Sequence, residues 1–340
     1  EERGRRRMGV MSHRNRRALV VGINNYARGP LYGCVADAEG IATRLARHDD
    51  GAPNFTVAIL TADHGADPVD RPDLREAMAQ LFENASGKDL FFYFSGHGRE
   101  DIRGAELVTS DNDGVPVNEL MTLANNSAAS TVTIVLDCCF SGDVGNTPGL
   151  QATQVAPDFR KAIAALSEGV TVLAASKSTE VSMESAGHGE FTRLLLDGLD
   201  GAATDHLGNI TALSLYAHAS RAFDAWEQTP VFKAHVTDAV LLRSGPEWIS
   251  AEDARHLPDH FDTATSRISL TDEHEGEGRP LSSPGTPAQQ ELDYLKRLRN
   301  VGLATTENDE DFYFATLQHH DVFLTPAGRM LWALADKGSL

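Results

Sequence analysis

Two apolar runs limit what this chain can fold into, because each stays apolar without alternation and then stops abruptly in short polar sequence. They are DLFFYFSGHG at residues 89–98 and STVTIVLDCCFSGD at residues 130–143. A short continuous run rich in aromatic and β-branched residues reads as a strand covered on both faces. RALVVGIN (17–24), FTVAILT (55–61) and GVTVLAAS (169–176) have the same character. Helical patterns lie between them. Residues 36–47 place Ala38, Ile41, Ala42 and Leu45 on one face, and residues 70–85 do so with Leu74, Met78, Leu81 and Phe82, Pro72 falling in the first turn. Residues 190–199 and 214–226 are also expected to be helical. Strands alternating with helices predict an α/β fold, a mostly parallel sheet flanked by helices on both faces. In such sheets ligands gather beyond the carboxyl ends of the strands. Ser95-Gly96-His97-Gly98 and Asp137-Cys138-Cys139-Phe140-Ser141-Gly142 both follow strand ends, so the fold brings them to one edge.

Composition narrows the function. The 340 residues are 41% hydrophobic, enough for one large domain and a smaller one. A formal net charge of -19 opposes nonspecific attraction to nucleic acid or anionic lipid and favours cationic ligands such as a basic peptide. The only cysteines are Cys34, Cys138 and Cys139, and adjacent cysteines rarely pair with each other, so no disulfide framework is expected. A reducing, cytoplasmic setting is the expectation. No apolar run is long enough to cross a bilayer, so no membrane partner is expected.

Four segments are expected. Residues 1–16, within an N-terminal stretch holding seven arginines by residue 17, read as a disordered basic arm, and residues 17–245 as the main domain. Residues 246–288, rich in acidic residues, Pro, Ser and Gly, read as a linker, and residues 289–340 as a small C-terminal α+β module. In the module, residues 290–303 form a helix with Leu292, Leu295, Leu298 and Val301 in its stripe and Gly302 as its stop. Short strands are expected around DFYFATL (311–317) and DVFL (321–324), then a helix from Thr325-Pro326. Helix, hairpin and helix in that order resemble the second half of a winged-helix domain.

The two strand ends carry the parts of a thiol nucleophile. Such a site needs thiolate character, a base within hydrogen-bond reach and donors aimed at the oxyanion of the tetrahedral intermediate. Cys139 is the candidate nucleophile, His97 its base, and the backbone N–H groups of Gly98 and Cys139 the candidate oxyanion hole. The glycines around His97 let the chain turn sharply and a substrate carbonyl approach. No third catalytic residue is evident.

With S-G-H-G ending one strand and D-x-C-x-S-G ending a later one, the chain resembles the caspase-like cysteine peptidases, and among them the metacaspases, paracaspases and bacterial caspase-like peptidases. The resemblance covers residues 17–243, and 42 residues separate His97 from Cys139, near the roughly 50 quoted for caspases. It implies cleavage of peptide bonds by a Cys-His dyad. The arginine that aspartate-specific caspases carry before a Gly-Thr pair is missing from Leu31-Tyr32-Gly33-Cys34. The resemblance instead implies an S1 pocket of Cys34, Asp37, Ser95 and Asp137. Two carboxylates there favour Arg or Lys at P1. It further implies processing within residues 144–168, whose only basic residues are Arg160 and Lys161. Calcium-dependent metacaspases have paired aspartates where this chain has Val117-Asn118-Glu119-Leu120, so neither calcium nor any other cofactor is expected. An activating protein partner at the C-terminal module, and a setting in bacterial defence or cell death, are further implications.

Plainer readings stand beside these. Cysteines at strand ends are by default small buried hydrophobes, and Cys138 keeps that reading. His188, His319 and His320 read as surface or structural, Asp111 and Asp113 as turn formers, and Lys296, Arg297 and Arg299 as a solvated helix face. The alternative from another class is a catalytically silent caspase fold acting by protein interaction. A DNA-binding regulator is opposed by the acidic charge.

Overall fold

The computed structural model describes residues 15–101, 104–138, 157–175, 188–222, 230–274 and 285–340. They divide into two compact units, one built from residues up to 204 and 209–246, the other from 205–208 and 247–340.

The first unit opens with β1 (Arg16–Ile23), α1 (Cys34–Ala46), β2 (Thr56–Ala62), α2 (Arg71–Phe82) and β3 (Asp89–Ser95). A small antiparallel sheet of β4 (Gly98–Asp101), β5 (Gly104–Val108) and β6 (Gly114–Pro116) follows, then α3 (Val117–Asn125) and β7 (Thr131–Asp137). After α4 (Pro157–Ala162) and β8 (Val170–Ala174) come α5 (Glu190–Asp197), β9 (Asn209–Thr211), α6 (Ala212–Ala222), β10 (Val231–His235) and β11 (Leu241–Ser244). The main sheet has the order β10-β8-β7-β3-β1-β2. All its pairings are parallel except that of β10 with β8, so the expected fold class stands.

The uninterrupted apolarity of the strands follows from helices on both faces. On one face Leu19, Val21, Phe92, Phe94, Ile134 and Leu136 pack with Leu74, Met78, Leu120 and Phe159 of α2, α3 and α4. On the other, Ala18, Val20, Phe91, Tyr93 and Val135 pack with Ile41, Leu45, Leu194, Leu195 and Leu215 of α1, α5 and α6. Helix and sheet approach closely at Gly22, where a Cβ would stand 2.3 Å from the carbonyl oxygen of Cys34 and 2.7 Å from Ala38 Cβ. Only glycine lets α1 lie that close to β1.

Several expectations need correction. Arg16, assigned to the basic arm, is a buried strand residue: it pairs with Asp89 at 3.5 Å, bonds Asn54 and lies over the Phe55 ring. Burial lowers its pKa despite the neighbouring carboxylate. Residues 247–274, assigned to a linker, belong to the folded second unit. They supply α7 (Ala251–Arg255), α8 (Leu257–His260) and β12 (Arg267–Ser269), with Leu257, Phe261 and Leu270 in its core. The unit continues with α9 (Pro287–Asn300), β13 (Ala304–Thr305), α10 (Phe312–Gln318), β14 (Asp321–Leu324) and α11 (Pro326–Asp336).

The strand expected around residues 311–317 is therefore the helix α10, so helix–strand–helix–strand–helix replaces helix–hairpin–helix. The cause is local. Asp311 accepts the N–H of Tyr313 as an N-cap, and the buried side chains Phe312, Ala315 and Thr316 have helical spacing. The resulting sheet, β12-β14-β13, is antiparallel.

Replacing Gly22 by Ala tests the contact that seats α1. Because backbone rather than a flexible side chain blocks the new methyl, a loss of about 3 kcal/mol is expected, at the upper end for overpacking. Urea unfolding measures it; a loss below about 1 kcal/mol would mean that α1 shifts freely on the sheet.

Candidate active site

Parallel β3 and β7 run in register so that Ser95 lies opposite Asp137. The two strands then leave the sheet at the same edge, the first toward Gly96-His97 and the second toward Cys138-Cys139. Cys138 is buried, as expected of a structural cysteine. Cys139 lies outside the described residues, and with it the dyad distance and its half of the oxyanion hole.

His97 is held from several sides. Its backbone N–H donates to the Tyr26 hydroxyl at 2.9 Å, and its carbonyl accepts the N–H of Val108 at 2.9 Å. The imidazole rests against the Tyr26 ring, centroids 4.5 Å apart. Its Nε2 lies 2.6 Å from the carbonyl oxygen of Gly29. A carbonyl only accepts, so this contact makes Nε2 the protonated nitrogen and leaves Nδ1 as the basic one. Gly29 has φ +69°, a conformation that favours glycine, which is why the loop after β1 can present that carbonyl. Gly96 is needed as well, since a Cβ there would stand 2.4 Å from the Tyr26 hydroxyl. Gly98 is buried at the start of β4, opposite Leu107.

The proposed S1 residues meet. Asp37, on the first turn of α1, is 2% exposed, and its carboxylate accepts from Ser95 Oγ at 3.0 Å and from the Gly189 N–H at 3.2 Å. His188 Nδ1 lies 2.8 Å from the same carboxylate, so His188, expected to be surface or structural, belongs to the site. Asp137 accepts from Thr192 Oγ1 at 2.5 Å. Thr192 thereby commits its one hydrogen, so the Tyr93 hydroxyl 2.5 Å away donates to Thr192. Gly189 lies between the carboxylates: a Cβ there would be 3.1 Å from Asp137 Oδ2 and 3.4 Å from Asp37 Oδ2. Cys34 is buried one turn before Asp37, with its backbone on Gly22.

Burial raises the pKa of Asp137, and the Thr192 hydroxyl works in the opposite direction by bonding the charged form. Burial, with both carboxylates nearby, pushes the Tyr93 phenol well above its ordinary value. Tyr93 thus remains a neutral donor at the foot of the relay.

Other expected positions fall elsewhere. Arg160 and Lys161 are exposed on α4, whose Phe159 is buried, and Lys161 bonds Asp158 at 2.6 Å. The bonds after these residues are helical here, so cleavage would require this turn to unwind. Glu119, at the place of the family's calcium ligands, is bonded to Arg75 at 2.6 Å, and Val117 and Asn118 supply no carboxylate. Asp111 closes a turn, accepting from Thr109 Oγ1 at 2.6 Å and from the Asp113 N–H. Arg297 and Arg299 pair with Asp253 and Asp311.

Asn24, Tyr26, Gly29, Tyr93, Gly189 and Thr192 were missed by sequence reasoning. The Asn-Asn-Tyr after the first strand and the Gly-Glu-Phe-Thr at the start of α5 were visible. Nothing in their spacing tied them to His97 or the aspartates.

Among the described residues no helix is long and apolar enough to cross a membrane. Comparison with curated proteins gives no match. Among solved structures, the chain is similar to protein GSU0716 from Geobacter sulfurreducens, with a TM-score of 0.48 at 20% identity, covering 65% of this chain and 94% of that one. It is also similar to caspase-1 from Spodoptera frugiperda, with a TM-score of 0.47 at 12% identity, covering 68% and 90%. The caspase domain of the C14 peptidases matches residues 15–241, most of the chain, and the protein therefore belongs to the caspase-domain family, peptidase C14.

Proposed function

We propose that the chain is a cysteine endopeptidase that cleaves proteins after Arg or Lys, with Cys139 as nucleophile and His97 as base. The observation that carries this reading is the convergence of Asp37 and Asp137 on Gly189 beside the strand ends that lead to His97 and Cys139. Two carboxylates in a largely buried pocket attract a cation, and a guanidinium can bond both through its fork of N–H donors. His188 Nδ1, which now meets Asp37, marks where an incoming N–H would be accepted.

The chemistry follows from the tautomer. His97 Nδ1 takes the Cys139 thiol proton, and the thiolate attacks the carbonyl carbon of the P1 residue. Backbone N–H groups of Gly98 and Cys139 would stabilise the oxyanion. As the tetrahedral intermediate collapses, the C–N bond breaks and His97 returns the proton to the departing amine. Water, deprotonated by His97, then cleaves the thioester, releasing the new carboxyl terminus and restoring the thiol. Throughout, the Gly29 carbonyl holds Nε2 and supports the imidazolium when it forms. The second unit, with its own core and the exposed Tyr313, Phe314 and Leu317 on α10, is the proposed receiver of an activating protein partner. A role in defence or cell death would fit such regulated cleavage.

Fluorogenic peptides ending in Arg, Lys, Asp or Leu test the assignment. Arg and Lys peptides should be cleaved, Cys139→Ala should reduce turnover to background, and Asp37→Asn or Asp137→Asn should each lower kcat/KM by roughly 10- to 100-fold, as for loss of a charge-assisted contact. Cleavage after Asp or Leu would sink the pocket assignment, and an unchanged Cys139→Ala would sink the peptidase.

The pocket's charge also bears on stability. Because the native pKa of Asp137 is raised, the folded state holds its proton more tightly than the unfolded state. The charge therefore costs stability above the native pKa, and the cost vanishes below the unfolded pKa, where both states are protonated. Asp137→Asn should accordingly melt higher than wild type at neutral pH, with a gain that shrinks as pH falls through the carboxylate range. A gain independent of pH, or a loss at neutral pH, would contradict the desolvation argument.

A further inference from the structure

Asn24 follows β1 directly and is 3% exposed, and of the residues proposed for the pocket it bonds only the backbone of Cys34. Its Oδ1 accepts the N–H groups of Cys34 at 3.0 Å and Val35 at 3.4 Å, the first two residues of α1. Its Nδ2 donates to the carbonyl of Tyr32 at 3.2 Å and to Asp63 Oδ1 at 3.0 Å. Two N–H groups on one side and two oxygens on the other fix the orientation of the amide. The backbone adds to this: the Asn24 N–H donates to the Ala62 carbonyl at 2.8 Å, and the Asn24 carbonyl accepts from Tyr26 at 3.1 Å and Leu31 at 3.0 Å. One residue thus ties the end of β2, both ends of the loop 24–33 and the start of α1 together.

That loop and that helix carry two separate parts of the site. The loop presents the Gly29 carbonyl to His97 Nε2 and the Tyr26 hydroxyl to the His97 N–H. The helix places Asp37 one turn beyond Cys34. We propose that Asn24 is a positioning residue that sets the tautomer of the His97 imidazole through the Gly29 carbonyl and, through the N-terminus of α1, holds Asp37 in the P1 pocket. The inference rests on reading His97 as the base and Asp37 as a pocket residue. The requirement is chemical as well as steric, because the position needs an acceptor and a donor back to back. Aspartate there keeps the acceptor for α1, but it turns a carboxylate toward the Tyr32 carbonyl and the Asp63 carboxylate. The Asn24 amide is the leading cause holding the Asp63 pKa below its ordinary value, in keeping with donation to a charged partner.

The two halves of the role separate by mutation. Asn24→Asp should free the loop while leaving α1 seated, so that kcat for an Arg peptide falls about 10- to 100-fold with KM within about threefold of wild type, as expected when an orienting hydrogen bond is lost. In ¹⁵N spectra of the imidazole, wild-type His97 should show the Nε2–H tautomer, and Asn24→Asp a mixture. Adding Asp63→Asn should recover much of kcat by re-forming the amide–carboxylate pair in reverse. Asn24→Ala should raise KM as well as lower kcat. A native tautomer and native kcat in Asn24→Asp would overturn the proposal. So would a loss that merely tracks unfolding by near-ultraviolet circular dichroism and is not relieved by Asp63→Asn. The spectra need no turnover, so a wild type that fails to cleave Arg peptides defeats the peptidase reading while the tautomer result still decides the role of Asn24.

Discussion

The parallel pairing of β3 with β7 is the constraint on which the site depends. Strands in a sheet lie about 4.8 Å apart, so residues in register at their ends are neighbours without any contribution from loops. Ser95 and Asp137 are such a pair, though 42 residues separate them in the chain. That pairing is enforced by burial on both faces. A slip of one residue would turn Phe92 and Phe94, or Ile134 and Leu136, toward the opposite helices. The energy that fixes the register is hydrophobic and lies below the edge, while the groups at the edge are polar. Chemistry at this site therefore rests on a core that takes no part in it.

Fixed hydroxyl and amide donors stabilise the polar groups above that core. Asp37 has Ser95 and the Gly189 N–H, and Asp137 has Thr192, itself bonded by Tyr93. Hydroxyl and amide donors lower the cost of burying a carboxylate without cancelling its charge. Among the described residues, Arg44, Arg75 and Arg193 pair with Asp200, Glu119 and Glu190.

The legibility of the structure in the sequence follows the range of the forces involved. The strands β1, β2, β3, β7 and β8 were readable as short apolar runs and the helices α1, α2, α5 and α6 from their period, because burial acts locally, whereas β10 was not foreseen. That Ser95, His97 and Asp137 lie at one edge was readable because strand ends collect there, while the pocket roles of Ser95, Asp137 and Asp37 came only through the family resemblance. The Gly29 carbonyl was not readable, because a backbone acceptor has no sequence identity and its use depends on a left-handed glycine three residues from Tyr26. Thr192 and Tyr93 are 99 residues apart, and their hydrogen bond leaves no periodic trace. In the second unit, the β propensity of Phe312-Tyr313-Phe314 gave the wrong element, since the Asp311 cap and the helical burial of Phe312, Ala315 and Thr316 outweighed it. The composition of residues 247–274 likewise suggested a linker, although a few large side chains, Leu257, Phe261 and Leu270, suffice to anchor that segment.

The loop between β1 and α1 shows how a short connection acquires a function. It must span from a buried strand to a helix pressed against that same strand at Gly22, so its ends are close, and Asn24, Tyr26 and Gly33 are buried while residues 27–30 are exposed. Buried amides and carbonyls require partners, and Asn24 supplies them for Cys34, Val35 and Tyr32. With the ends closed in this way, the loop presents the Gly29 carbonyl to His97 Nε2. Under the role proposed for Asn24, satisfying the backbone at the loop ends and orienting the imidazole are one structural event.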